Sequence, residues 1–444
     1  MTALRRSRLR YALIPMLAVL AVVAALVFMR GKSPADQRVE LPFDFRQTAG
    51  TSTDDLVSSL QEQIRANPKE FDAHVELANA YLQKVRETGD PTLYTRSEAL
   101  LDEAQKLQPQ SPELFATRGT LALARHDFAA ALRHGTRALA LDPENATYHG
   151  IVGDAQIELG MYDEAIHSYQ EMIDRRPDFD SFSRVAYARE LYGDPEGAIE
   201  AMEFALQAGS GTPENVAWAH VQLANLWFTS GKLEEAQKSY GLSTRTVGAY
   251  APALAGKAKI AAARGDLEQA ATLYEQAFNR MPLPEYTIAL GDVYAEMGER
   301  EKAEEQYELV RSMDKLLRAN GVDTDLEIAI FNADHDIDLQ TSLEKARAAY
   351  DARPSIHAAD ALAWTLYKTG NIEEAQEYSS EALKLETRDP LKLFHAGMIS
   401  KALGEEERAR TYLQQAIDLN PHFSLLYADE AADSLKSLKT GGEN

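Results

Sequence analysis

The sequence predicts an all-α protein: an α/α superhelical solenoid of helical hairpins preceded by one N-terminal transmembrane helix. Three observations predict it. An uncharged apolar run over residues 11–29 follows four closely spaced arginines. A glycine followed five residues later by an alanine then recurs, mostly at steps of 33 or 34 residues. The 444 residues are 45% hydrophobic and 26% charged, enough apolar side chain for a folded core, which excludes a disordered or collagen-like chain.

The elements follow in order. Residues 1–10 carry Arg5, Arg6, Arg8 and Arg10 and form a short cytoplasmic N-terminus. Tyr11 to Met29 contains no charge and as a helix would measure about 28 Å, the thickness of a bilayer core. Basic residues dominate its leading flank, so the positive-inside rule sends the remainder of the chain across the membrane. The rival reading is a cleaved signal peptide. Its apolar core would span only about 7–15 residues, with a small-x-small site after it. Here the run ends Val27-Phe28-Met29-Arg30, which favours an uncleaved anchor. Residues 30–53, with Pro34, Pro42 and small polar residues, read as a tether. The solenoid occupies 54–438, and 439–444 is a tail.

Within the solenoid, Gly160, Gly193, Gly231, Gly265, Gly298, Gly370 and Gly404 precede Ala165, Ala198, Ala236, Ala270, Ala303, Ala375 and Ala409. His126 with Ala131 holds the same register one unit earlier. Glycine just past a helix end takes the left-handed conformation that closes the helix. A neighbouring Asp or Asn (Asp194, Asp266, Asn371) can cap the next one. The alanine lets the paired helices approach, and Pro143, Pro177, Pro282 and Pro421 stop the second helix of their units. Ten units result: 71–111, 112–145, 146–178, 179–216, 217–250, 251–283, 284–322, 323–355, 356–389 and 390–423. The first carries an insertion between Lys84 and Arg96. The eighth has Asn332 to Asp338 where the turn glycine would stand. Residues 56–67 form an unpaired leading helix and 424–438 a trailing cap, as a solenoid requires.

These units resemble tetratricopeptide repeats. Leu290-Gly291-x-x-Tyr294 with Ala303-x-x-x-Tyr307 follows that family's pattern, as does Gly153 with Ala165-x-x-x-Tyr169 and Pro177. The resemblance implies a superhelix whose first helices line a concave protein-binding side. Asp55-Leu56, Gln63-Ile64-Arg65-Ala66-Asn67-Pro68 and Leu77-Ala78-x-x-Tyr81 are also similar to the repeat region of bacterial cytochrome c biogenesis factors, which hold unfolded apocytochrome.

Catalytic motifs are absent. There is no His-Glu-x-x-His pair, no Gly-x-Ser-x-Gly elbow and no Gly-x-Gly-x-x-Gly turn, so an enzyme is not expected and no cofactor is implied. The lack of cysteine removes thiol catalysis, disulfides and zinc fingers. One acidic cluster could hold a hard cation: Asp334, Asp336 and Asp338 open like a calcium loop. Leu339 and Lys345 then stand where that loop needs Gly and Glu. The competing reading is a solvated interhelical turn.

On the concave side the repeat register places Asn79, Thr120, Asp154, Tyr187, Asn225, Lys259, Asp292, Phe331, Trp364 and Met398, with Glu327, Asp360 and Phe394 one helical turn earlier. Candidate partner-binding residues are Tyr187, Trp218, Asn225, Phe228, Phe331, Trp364, Tyr367 and Phe394, because aromatic anchors concentrate interface energy. The alternative is that these rings pack between neighbouring repeats. Repeat domains that grip chaperone tails pair Lys with Asn, and here Val75 and Val221 replace the lysines beside Asn79 and Asn225.

The expected function is therefore a membrane-tethered, extracytoplasmic scaffold that holds partner proteins or peptides in its concave groove during assembly or biogenesis of an envelope complex. The alternative is binding of a metal ion or small ligand at the acidic turn. Residues 33–444 hold 40 basic against 69 acidic residues, a net charge of −29. That favours basic partners and argues against nucleic acid.

Overall fold

In a computed structural model, residues 52–440 are described, and they fold as twenty-two helices. The leading helix is α1 (Thr53–Ala66). Ten antiparallel hairpins follow: α2 (Phe71–Thr88) with α3 (Thr92–Leu107), α4 (Pro112–Ala124) with α5 (Phe128–Leu141), α6 (Ala146–Glu158) with α7 (Tyr162–Arg175), and α8 (Phe179–Leu191) with α9 (Pro195–Ala208). Next come α10 (Pro213–Thr229) with α11 (Leu233–Thr246), α12 (Ala251–Ala263) with α13 (Leu267–Arg280), and α14 (Pro284–Glu296) with α15 (Arg300–Ala319). The last are α16 (Asp325–Asp334) with α17 (Leu339–Ala352), α18 (Ile356–Lys368) with α19 (Ile372–Ala382), and α20 (Pro390–Ala402) with α21 (Glu406–Leu419). They are closed by α22 (Ala428–Thr440). No helix among the described residues is long and apolar enough to cross a membrane. The expected anchor at 11–29 lies outside them.

The glycine–alanine register has the predicted physical cause. Ala165, Ala198, Ala236, Ala270, Ala375 and Ala409 are wholly buried where the second helix meets the first. Asp194 and Asp266 accept from the backbone N–H of Gly197 and Gln269 and cap α9 and α13. Asn371 does not cap; its amide donates to Thr369 Oγ1 instead. Where glycine is missing, His126 (φ 61°) and Asp336 (φ 54°) take the left-handed conformation themselves. The insertion in the first unit lengthens α2 to eighteen residues before Gly89 closes it.

A second regularity pins first helix to second. Tyr169, Tyr240 and Tyr307 each donate a hydroxyl to the residue fifteen positions earlier, at 3.1 Å to Asp154, 2.6 Å to Asn225 and 2.9 Å to Asp292. The next hairpin then adds its own grip on two of these. Arg184 holds Asp154 through both Nε (2.8 Å) and Nη2 (2.7 Å), and His335 Nε2 lies 2.7 Å from Asp292.

The stack also returns upon itself. Five successive hairpin turns each meet the loop that follows a hairpin of the next superhelical turn. Gly89 packs on Met281 and Leu283, Arg125 and His126 on Gly321 and Asp323, Gly160 on Pro354, Gly193 on Glu386, and Gly231 on Leu419. The bonds that join them link residues 192 to 198 positions apart. Asn420 Nδ2 donates to Phe228 O (2.8 Å), the Ile356 amide to Tyr162 Oη (2.7 Å), and His126 Nδ1 meets Asp323 O (2.9 Å). In the same rung the Asp323 amide donates to Arg125 O at 2.9 Å. A Cβ at Gly160 or Gly193 would collide with the carbonyl oxygen of Pro354 or Glu386, and at Gly231 it would lie 2.6 Å from Leu419 O. At Gly265, Gly298, Gly370 and Gly404 it would meet nothing within 4 Å among the described residues. All seven close a helix. Three of them also admit the next superhelical turn.

Candidate functional site

Because the second superhelical turn sits over the first, first helices far apart in sequence face one another across the concave side. Two adjoining cavities result. One, of about 190 Å³, lies between Tyr187, Glu190, Leu226, Phe228 and Lys259 below and His357, Asp389, Lys392, Asn420 and Phe423 above. The other, of about 450 Å³ and wider at its mouth, is lined by His126, Phe128, Asp154, Glu158, Tyr169, Tyr187, Glu327, Arg353 and His357. Tyr187 and His357 line both. The Tyr187 hydroxyl lies 3.3 Å from His357 Nε2 and donates to Glu158 Oε1 at 2.9 Å.

The electrostatics follow from enclosure. Lys392 is buried and pairs with Asp389 at 2.6 Å, and Asp389 also caps α20 by accepting from the amides of Leu391 and Lys392. Burial alone would raise the Asp389 pKa, but the Lys392 ammonium holds it down at about 2. Burial, reinforced by Lys392, depresses His357 to about 3 and keeps its ring neutral. Burial and the nearby Asp389 lift Glu190 to about 7 against the opposing pull of Lys392. Lys259 is open to solvent yet crowded by protein. Crowding by protein pushes its pKa down, opposed by Glu285 and Asp389, and its ammonium lies 5.2 Å from the centre of the Phe228 ring.

Glu190 gives this cavity a pH dependence of definite sign. Its folded pKa lies above the ordinary carboxyl value, so the folded state binds the extra proton and stability falls as pH rises from about 4.5 through about 7. Glu190→Gln should match the wild type at pH 4 and exceed it at pH 8, by on the order of 1–2 kcal/mol. Urea midpoints of both chains at the two pH values check this; a gap that does not change with pH contradicts it.

The candidate binding residues divide into two groups. Phe331, Trp364 and Phe394 are buried among neighbouring hairpins, as is Phe228, which nevertheless lends an edge to the smaller cavity. Phe331 packs on Tyr307 and His335. Trp364 stacks between Tyr367 and His395 and meets Phe394 and Tyr427. Trp218 packs on Phe179, and Asn225 is held by Tyr240. The rings join repeat to repeat, and Asn225 joins the two helices of its own hairpin. Tyr187 alone of the eight reaches both cavities.

The acidic turn is a correction to the metal-site expectation. Asp334, Asp336 and Asp338 do not converge, and no group of three or more potential ligands able to hold a metal occurs among the described residues. Asp334 is turned inward, accepting from Trp364 Nε1 and Tyr427 Oη, both at 2.8 Å. Asp336 pairs with Lys368 at 2.7 Å, and Asp338 takes the left-handed conformation just before α17. Negative charge in this turn is met by indole, phenol and ammonium donors.

Glu190, His357, Asp389 and Lys392 escape a reading of the sequence. No short-range signal marks them, because each faces the cavity only through contacts between residues far apart in the chain. Lys259 falls on the concave register, yet nothing local shows it as a cavity residue.

A family model described as "Tetratricopeptide repeat" matches residues 117–178, and a second of the same description matches 356–389 and 393–423. The small glutamine-rich tetratricopeptide repeat-containing protein 2 of Saccharomyces cerevisiae is 33% identical over 85 residues, 19% of this chain. The chain spans about a quarter of that relative's length. Among solved structures, PilF of Pseudomonas aeruginosa is similar over 47% of this chain and 90% of its own, at 21% identity and a TM-score of 0.34. Yeast Tom70 is similar over 88% of this chain and 97% of its own, at 15% identity and a TM-score of 0.35.

Proposed function

We propose that this chain, a tetratricopeptide-repeat protein, is a membrane-tethered scaffold that holds partner proteins or peptides on its concave side, outside the cytoplasm. The observation that supports the concave side is the placement of charge. Lys259 and Glu285, crowded by protein yet still open to solvent, lie within electrostatic reach of each other, whereas Phe331, Trp364 and Phe394 are spent on packing. Enclosed charged groups strengthen pairing with a complementary segment because water screens them less. The tether rests on residues 11–29 and their arginine flank. A net charge of −29 over residues 33–444 favours a basic partner and faster encounter with it. Assembly or biogenesis of an envelope complex is the role that this combination of tether and repeats suits.

A photo-crosslinking residue placed at Glu285, which faces Lys259 and Glu327, should capture a second protein in intact cells. The same residue at the exposed Glu305 of α15 should capture little. Equal capture from both would remove the concave side as the binding surface. Protease added outside the cells should digest the repeats. Full protection with the membrane intact would contradict the orientation.

A further inference from the structure

We propose that the two superhelical turns separate along the ladder of edge contacts, and that this separation admits a partner to the concave side. The closed form does not admit one between Phe228 and Lys392. The cavity there is about 190 Å³, below the roughly 300–1,000 Å³ of ordinary ligand pockets, and Asn420 and Phe423 from the second turn help to roof it. Tyr187 and His357 narrow the passage to the larger cavity by meeting across the turns.

The rungs are built to part. Helices within a hairpin are joined by wholly buried alanines and tyrosine hydroxyls, and successive hairpins by shared apolar clusters and by Arg184 on Asp154 and His335 on Asp292, arrangements that fail only when a helix leaves its neighbour. The rungs between turns consist mainly of single polar contacts at loops: Asn420 on Phe228 O, Asp323 with Arg125 and His126, and Arg388 with Glu196 at 3.6 Å. Apolar contacts are added at the first rung, where Gly89 meets Met281 and Leu283, and at the third, where Ile356 and Leu385 pack with Ile157, Tyr162 and Leu191. Elements held by few apolar contacts open at lower free energy than the core. The glycines mark the ladder as a specific contact: Gly160, Gly193 and Gly231 leave room for the opposing carbonyl oxygens, and any side chain there would force the turns apart.

The chain contains no cysteine, so two can be introduced and labelled cleanly. In the full-length chain in detergent, spin labels at Asp163→Cys and Asp351→Cys, both exposed and flanking the Gly160 rung, report the separation of the turns. Gly160→Ala/Gly193→Ala/Gly231→Ala should lengthen and broaden the distance distribution. Gly265→Ala/Gly298→Ala/Gly370→Ala is the matched control. Its glycines have a similar positive φ and so similar backbone strain, but nothing within 4 Å opposite them among the described residues. The control should keep the wild-type distance. An unchanged distance in the ladder variant, or equal lengthening in the control, overturns the proposal. Should circular dichroism show the ladder variant unfolded, Gly160→Ala alone is read in the same way.

Access is measured separately by the rate at which a bulky maleimide labels Thr229→Cys, on the wall of the smaller cavity. It should rise about tenfold in the ladder variant; lengthening without faster labelling overturns the gating step. This consequence rests on the concave-side reading. The spin-label distances need no partner, so the failure of one is distinguishable from the failure of the other.

Discussion

Trp364→Ala should lower stability by roughly 4–6 kcal/mol, as large a loss as any one truncation in the second superhelical turn is expected to give. The ring is 2% exposed, stacks 4.2 Å from His395 and 4.9 Å from Tyr367, and meets Tyr427 edge-on. Its removal leaves a cavity among α16, α18, α20 and α22. It also takes one of two donors from Asp334, whose carboxyl pKa burial already pushes up. Trp364→Phe keeps most of the apolar contact and should cost less, roughly 1–3 kcal/mol, chiefly the missing donor. Urea denaturation of the two variants separates packing from hydrogen bonding. A Trp364→Ala chain that stayed as stable as the wild type but no longer captured a partner would return this ring to the binding surface.

Asp389→Ala is the second large effect, at roughly 4–6 kcal/mol. The cap of α20 accounts for about 1 kcal/mol of this. Most of the rest comes from leaving the Lys392 ammonium buried without its ion-pair partner. The double variant Asp389→Ala/Lys392→Met should recover part of the loss, because an apolar side chain of similar length needs no partner there. The pair also sets an acid limit. Asp389 is depressed in the folded chain, so its contribution is full above the ordinary carboxyl pKa and is lost as pH falls from about 4 towards about 2. Thermal melts from pH 7 down to pH 2 should therefore converge for wild type and Asp389→Ala at the acid end. A constant gap would show that the cap, and not the charge, carries the effect.

These two sites also show what can be read from a sequence of this kind. The hairpins are legible because their causes are local. A left-handed residue closes one helix, an alanine such as Ala165 fits beneath the next, and each cause repeats in register. Asp334 marks the limit. Three carboxylates at alternate positions look like a cation loop in one dimension, but their partners are Trp364, Tyr427 and Lys368, which lie 30 or more residues away. Phe331, Trp364 and Phe394 fall on the concave register, yet whether an aromatic at that register faces a groove or the adjacent helix depends on how tightly the hairpins pack. Least legible of all is the return of one superhelical turn upon another. Gly160 and Gly265 look identical in the sequence and close their helices identically. They differ only in what arrives opposite them, and that is set by the accumulated rotation of five intervening hairpins.

The meeting of the two turns is therefore the claim on which the cavities, the buried Asp389–Lys392 pair and the proposed gating depend. Hydrogen exchange at two backbone amides tests it without altering the chain. The amide of Asp323 donates to Arg125 O at 2.9 Å and that of Ile356 to Tyr162 Oη at 2.7 Å, and neither bond belongs to a helix. If the turns meet, both amides exchange slowly, at least tenfold below the rate of an unbonded loop amide. Exchange of both at the unprotected rate, with the amides inside α18 still protected, would show the hairpins intact and the two turns apart, and would contradict it.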